Sequence, residues 1–83
     1  MHYHYHFEFF PKGLEVRWDH NSNQVRQSIP FTQIITVRLD YNYDDKIWSL
    51  FLLLQDGVKY TYTFKSCGDA EKVYLDIQAA LLQ

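Results

Sequence analysis

The chain predicts an α+β fold: a small, bent antiparallel β-sheet, or partly open barrel, of 5–6 strands with one C-terminal α-helix. Three observations carry this. Successive short runs from His2 to Lys65 alternate between apolar and polar residues, the period of half-buried strands. Clusters of Asn, Asp, Gly and Pro separate the runs. After Ser66 the period changes to that of an amphipathic helix. A length of 83 residues allows one domain over 1–83, and an aromatic share of 18% is an efficient filling for so small a core.

The first strand spans residues 2–10. Tyr3, Tyr5, Phe7 and Phe9 share one face, and His2, His4, His6 and Glu8 the other. The second, 14–19, alternates Leu14, Val16 and Trp18 with Glu15, Arg17 and Asp19. Apolar must meet apolar across a hairpin, which pairs Phe9 with Leu14, Phe7 with Val16 and Tyr5 with Trp18. That register predicts a four-residue loop, Phe10–Gly13, with Gly13 free to take positive φ, and sets His4 opposite Asp19.

Turn chemistry at His20-Asn21-Ser22-Asn23 leads to a short third strand, 24–29, which Pro30 ends or places at an edge. The fourth strand, 34–43, is rich in β-branched and aromatic residues, and the fifth spans 47–55. Asp56-Gly57 signals a type I′ hairpin into the sixth strand, 58–65. The helix covers 68–82: Ser66 and Asp69 have capping-box spacing, and Ala70, Val73, Tyr74, Ile77, Ala80 and Leu81 form its apolar stripe. Lys72 and Asp76 stand one turn apart on its wet side.

Composition narrows the function. Eight Lys+Arg against ten Asp+Glu give a net charge of −2, a poor footprint for nucleic acid or an anionic membrane. The longest apolar run, Ile47–Leu54, is too short to insert across a bilayer, and no apolar leader follows Met1. The single cysteine, Cys67, excludes a disulfide framework and fits a reducing, cytoplasmic setting. At the helix start its thiol is expected to tuck against the sheet rather than react. No catalytic motif occurs, so the chain is read as non-enzymatic and without cofactor.

Two constellations remain. His2 and His4 stand about 6.6–6.8 Å apart by Cα, close enough to chelate one metal ion, with Asp19 as a third donor. A solvated strand face accounts for the same residues more simply, because the site lacks further ligands. On the fifth strand Trp48, Leu50, Leu52 and Leu54 form an apolar row. The hairpin register sets it opposite Lys65, Thr63, Thr61 and Lys59, while Phe51 and Leu53 meet Tyr62 and Tyr60 as core. The Trp48 row is then either covered within the monomer or open to a partner. Ile35, Val37, Leu39 and Tyr41 share its face if the Asp44-Asp45 loop has an even count. The acidic residues Asp40, Asp44, Asp45 and Asp56 at strand ends are turn chemistry.

Gly13-Leu14-Glu15-Val16, the run Ile29–Val37, the run Gln55–Phe64 and the helix from Asp69 together give an order of signals that resembles bacterial pleckstrin-homology-like and GRAM-like domains, over Gly13–Leu82. The resemblance implies a binding module for proteins, peptides or lipid headgroups. Its lipid-binding members present a basic loop between the first two strands, where this chain offers only Lys12. The expectation is therefore a small protein-interaction module (an adaptor, inhibitor or homodimerising domain). Its contact surface would be Trp48, Leu50, Leu52 and Leu54 with Thr61, Thr63 and Lys65. Metal binding through His2, His4 and Asp19, and lipid-headgroup binding, are the alternatives.

Overall fold

The structure, a computed structural model, describes residues 4–83. Two antiparallel meanders follow one another and the C-terminal helix packs on the second. The first sheet has the order β1 (His6–Phe10), β2 (Gly13–His20), β3 (Asn23–Pro30). A single 3-10 turn, Phe31–Gln33, leads into the second sheet, of order β4 (Ile34–Asn42), β5 (Ile47–Leu54), β6 (Lys59–Phe64). Helix α1 (Cys67–Leu81) closes the chain and rests on β4, β5 and β6. The α+β class and all six strands agree with the sequence reading. The single bent sheet does not: the strands divide into two sheets that do not close into a barrel among the described residues. The 3-10 turn after Pro30 makes the division, because it takes the chain from one sheet into the other.

The β1–β2 register is the expected one, with Phe7 opposite Val16 and Phe9 opposite Leu14. It extends one step further, pairing Phe10 with Gly13, so the loop is Pro11-Lys12 and not four residues. Gly13 is not at positive φ. Its lack of a side chain serves close approach instead, since a Cβ there would lie 2.7 Å from the Ile29 carbonyl oxygen on β3. Tyr5 lies before the ladder yet packs its ring 5.4 Å from that of Trp18. His2 and Tyr3, the expected start of β1, lie outside the described residues. Between β2 and β3, Asn21 and Ser22 both take positive φ (52° and 69°), the conformation of a two-residue hairpin turn.

In the second sheet two loops decide which side chains face inward. The β4–β5 loop has the even count considered above: Asn42 pairs with Ile47, and Tyr43–Lys46 make the turn. The Asn42 side-chain oxygen accepts the Asp44 and Asp45 amides at 2.9 and 3.1 Å, and Lys46 takes φ 58°. A bulge between Ile34 and Thr36 swings Ile35 outward, to 53% exposure, while Ile34 and Val37 both point in.

The β5–β6 loop departs from expectation. Leu54 donates its amide to the Val58 carbonyl, and its own carbonyl accepts the Gly57 amide, leaving a three-residue loop, Gln55-Asp56-Gly57. Gly57 alone takes positive φ (87°); Asp56 instead accepts the Val58 amide on its carboxylate. This is the three-residue hairpin with glycine in the left-handed position, not type I′.

The core draws on all layers. Leu14, Val16 and Ile29 come from the first sheet, Ile34, Val37, Leu50, Leu52, Leu54 and Tyr62 from the second, and Ala70 and Ile77 from α1. Tyr62 spans the space between the sheets. Its ring meets those of Tyr5 and Phe7 edge-on at 5.2 and 5.4 Å, and its hydroxyl donates to Gln27 Oε1 on β3. The Ser66 hydroxyl accepts the Asp69 amide at 3.4 Å and so caps α1.

Candidate functional site

The odd loop reverses the faces of the β5–β6 hairpin, because a one-residue slip moves every side chain across the sheet. Trp48 pairs with Phe64, Leu50 with Tyr62 and Leu52 with Tyr60. Leu50 and Leu52 have no exposed surface and Leu54 is 7% exposed. Trp48, half-buried, lies 4.6 Å from the Tyr41 ring at the end of the same inner face. The row expected to meet a partner is therefore interior, and Lys65 does not stand beside Trp48. Only Thr61 and Thr63 of the expected surface residues lie on the outer face, opposite Phe51 and Ser49.

What the slip removes from one face it adds to the other. Phe51 and Leu53, expected in the core, lie half-buried on the outer side of the second sheet, and the bulge adds Ile35 beside them. Arg38 stands opposite Phe51 with its Cζ 4.8 Å from the ring centroid, and the Lys59 ammonium reaches diagonally to 4.8 Å from the same ring. Each such contact is worth about 0.5–1 kcal/mol at an exposed site. Arg38 also holds the Asp40 carboxylate at 3.0 Å.

The first sheet's outer face has another character. It presents His6, Glu8, Glu15, Arg17, Arg26 and Ser28, with Glu15 between two arginines at 3.7 and 3.9 Å. A solvated strand face reads like that. The apolar outer face belongs to the second sheet alone. Sequence reasoning missed Arg38, Phe51, Leu53 and Lys59 as one group. The available signal was that β5 is apolar on both sides, so one side must remain outside whichever way the loop counts.

The other expected groups do not assemble. The β1–β2 ladder begins at His6, so no ladder pair sets His4 against Asp19, and His2 lies outside the described residues. Among the described residues no three His, Cys, Asp or Glu side chains converge as a metal site would require. Cys67 is exposed rather than tucked against the sheet, its Sγ 3.8 Å from a Glu71 carboxylate oxygen. The helix begins on a short extended link from β6, which leaves its first turn at the surface. The Tyr62 hydroxyl is held well above the usual tyrosine range, mainly by burial and further by Tyr60 and Tyr5. It is a neutral structural donor. No described helix is long and apolar enough to cross a membrane.

No protein family, curated protein or solved structure matches the chain.

Proposed function

We propose that the protein is a non-enzymatic interaction module that docks a protein partner, or a second copy, on the outer face of β4–β5–β6. One observation carries this reading: the apolar residues Ile35, Phe51 and Leu53 share an outer sheet face, whereas the outer face of the first sheet is polar and charged. The contacts of Arg38 and Lys59 cover Phe51 only in part, and apolar side chains grouped on an outer face are the kind of patch that marks a contact surface. The aromatic centre has the character of a binding hot spot, with Arg38 and Lys59 beside Phe51 and the threonines of β6 at its margin. Arg38 is already paired with Asp40, so the local charge that a partner would complement is that of Lys59, and the complementary surface is apolar with an acidic group near Lys59.

The two meanders with a C-terminal helix also support a pleckstrin-homology-like relationship, in which such modules serve adaptors or inhibitors. The lone, exposed Cys67 supports a reducing, cytoplasmic setting.

The test is light scattering of the tagged protein recovered from its host, beside a Phe51→Ser, Leu53→Ser variant. The wild type is expected in a species heavier than the 10.0 kDa monomer, and the variant as a folded monomer. A folded variant that keeps the heavier species overturns the reading.

A further inference from the structure

A second feature lies between β1 and α1, beside the end of β6. A cleft of about 640 Å³ runs from His4 and Lys65 along Phe7 and Phe64 to Val73 and Asp76. It continues past Phe9 and Asp76 into a hollow of about 300 Å³ between Pro11, Phe31, Ala79 and Ala80. Both spaces progress along β1 and α1 together, so they form one groove with an edge strand on one side and a helix on the other. Its volume lies in the range of sites that enclose a ligand.

The backbone of β1 says what kind of ligand. Pro11 has no amide hydrogen, so the closing Phe10–Gly13 pair can join the ladder only by exchanging its own two hydrogen bonds. Alternation then turns the amides and carbonyls of Glu8 and His6 toward β2, and those of Phe7 and Phe9 toward the groove. No described residue pairs with β1 on that side. Two outward peptide groups about 6.6–6.8 Å apart match the repeat of an extended chain. The walls suit alternate side chains: an aromatic floor at Phe7 and Phe64, an apolar hollow at Phe31 and Ala80, and a polar far end where Lys65 and Asp69 line the cleft and Lys72 is paired with Asp76.

We infer that this groove binds an extended segment of another protein as a fourth strand on the first sheet. Its alternate side chains are apolar, one of them seated in the Phe31–Ala80 hollow, with a polar residue at the Lys65–Asp69 end. A second copy is a poor occupant. It would bring its own β2 and α1 against a groove already walled by α1, and the register centred on Glu8 would set that carboxylate against its own copy. The inference does not rest on the outer-face reading; Thr63, at the margin of that face, also borders the cleft.

The probe is a displayed library of random linear peptides, followed by synthesis of the selected sequence. The expected result is convergence on an apolar-x-apolar pattern with a flanking polar residue. The bound peptide should slow hydrogen exchange at the Phe7 and Phe9 amides. Ala79→Arg, which fills the hollow from an exposed helix position, should weaken binding at least about tenfold. Three results overturn the inference: no convergent pattern, binding that leaves the Phe7 and Phe9 amides exchanging freely, or unchanged affinity in the folded Ala79→Arg protein. Self-association abolished by Ala79→Arg would also overturn it, in favour of a second copy.

Discussion

Leu52 stands opposite Tyr60 across the β5–β6 hairpin, and Leu53, its neighbour, stands opposite Lys59. One is fully enclosed and the other half-exposed, so adjacent leucines carry different duties. Leu52→Ala is expected to cost about 2–5 kcal/mol, the range for emptying a packed site. Leu53→Ala is expected to cost less, about 1–2 kcal/mol, since its side chain is partly wet and its removal leaves no closed cavity. Urea unfolding with unchanged slope distinguishes the two; equal losses would mean that the hairpin register is wrong.

Tyr62 ties the sheets together, and its burial makes stability depend on alkaline pH. Its folded-state pKa is raised above the ordinary value of about 10, so the native state holds a proton that the unfolded chain releases. The contribution is complete below pH of about 10 and is lost as pH rises toward the folded value. Tyr62→Phe removes the titration and leaves Gln27 Oε1 without its donor. It is expected to lose about 1 kcal/mol at neutral pH and to show a shallower alkaline decline. Thermal unfolding as a function of pH checks both.

Gly13 and Gly57 are glycines for different reasons. A Cβ at Gly13 meets the Ile29 carbonyl oxygen at 2.7 Å, whereas at Gly57 it meets nothing, and only the positive φ of 87° matters. Gly13→Ala is therefore expected to cost about 1–3 kcal/mol as β2 and β3 are pushed apart. Gly57→Asn is expected to cost only a few tenths (about 0.5 kcal/mol at most), because asparagine tolerates the left-handed region. Melting temperatures of the two variants give the comparison, at about 4–8 °C per kcal/mol for a domain of this size.

Lys59 bears on the partner's charge. Lys59→Glu reverses the sign beside Phe51 while leaving an exposed side chain exposed. Association through this face is expected to weaken, and its sensitivity to added salt to diminish, because one favourable long-range attraction becomes a repulsion. Association rates measured at low and moderate ionic strength report this directly.

The elements were legible because their signals are local. Alternation located the strands, and Ser66 followed by the Ala70–Leu81 stripe located the helix to within a residue or two. Even the β1–β2 register followed from Phe7, Phe9, Leu14 and Val16, since alternation fixes the parity and a short turn at Pro11 selects the pairing. On the second hairpin that logic failed. Leu50–Leu54 is apolar at every position, so either face of β5 satisfies the pattern, and the choice rests on whether Gln55 joins the loop. The bulge at Ile35 was hidden for the same reason: Ile34, Ile35 and Val37 all suit a core. The division into two sheets depends on the path of the backbone after Pro30, which no periodicity records. The row Trp48, Leu50, Leu52 and Leu54, weighed as an open surface, thus faces the core, and Phe51 and Leu53, read as core, face outward.

The most direct test of the outer-face reading is photo-cross-linking from a benzophenone amino acid placed at position 51, with position 15 on the first sheet's outer face as the comparison. A discrete adduct from position 51, lost when Leu53 is changed to Asp and absent from position 15, is the predicted result. No adduct from position 51, or equal adducts from both, would contradict the assignment of this face as a contact surface.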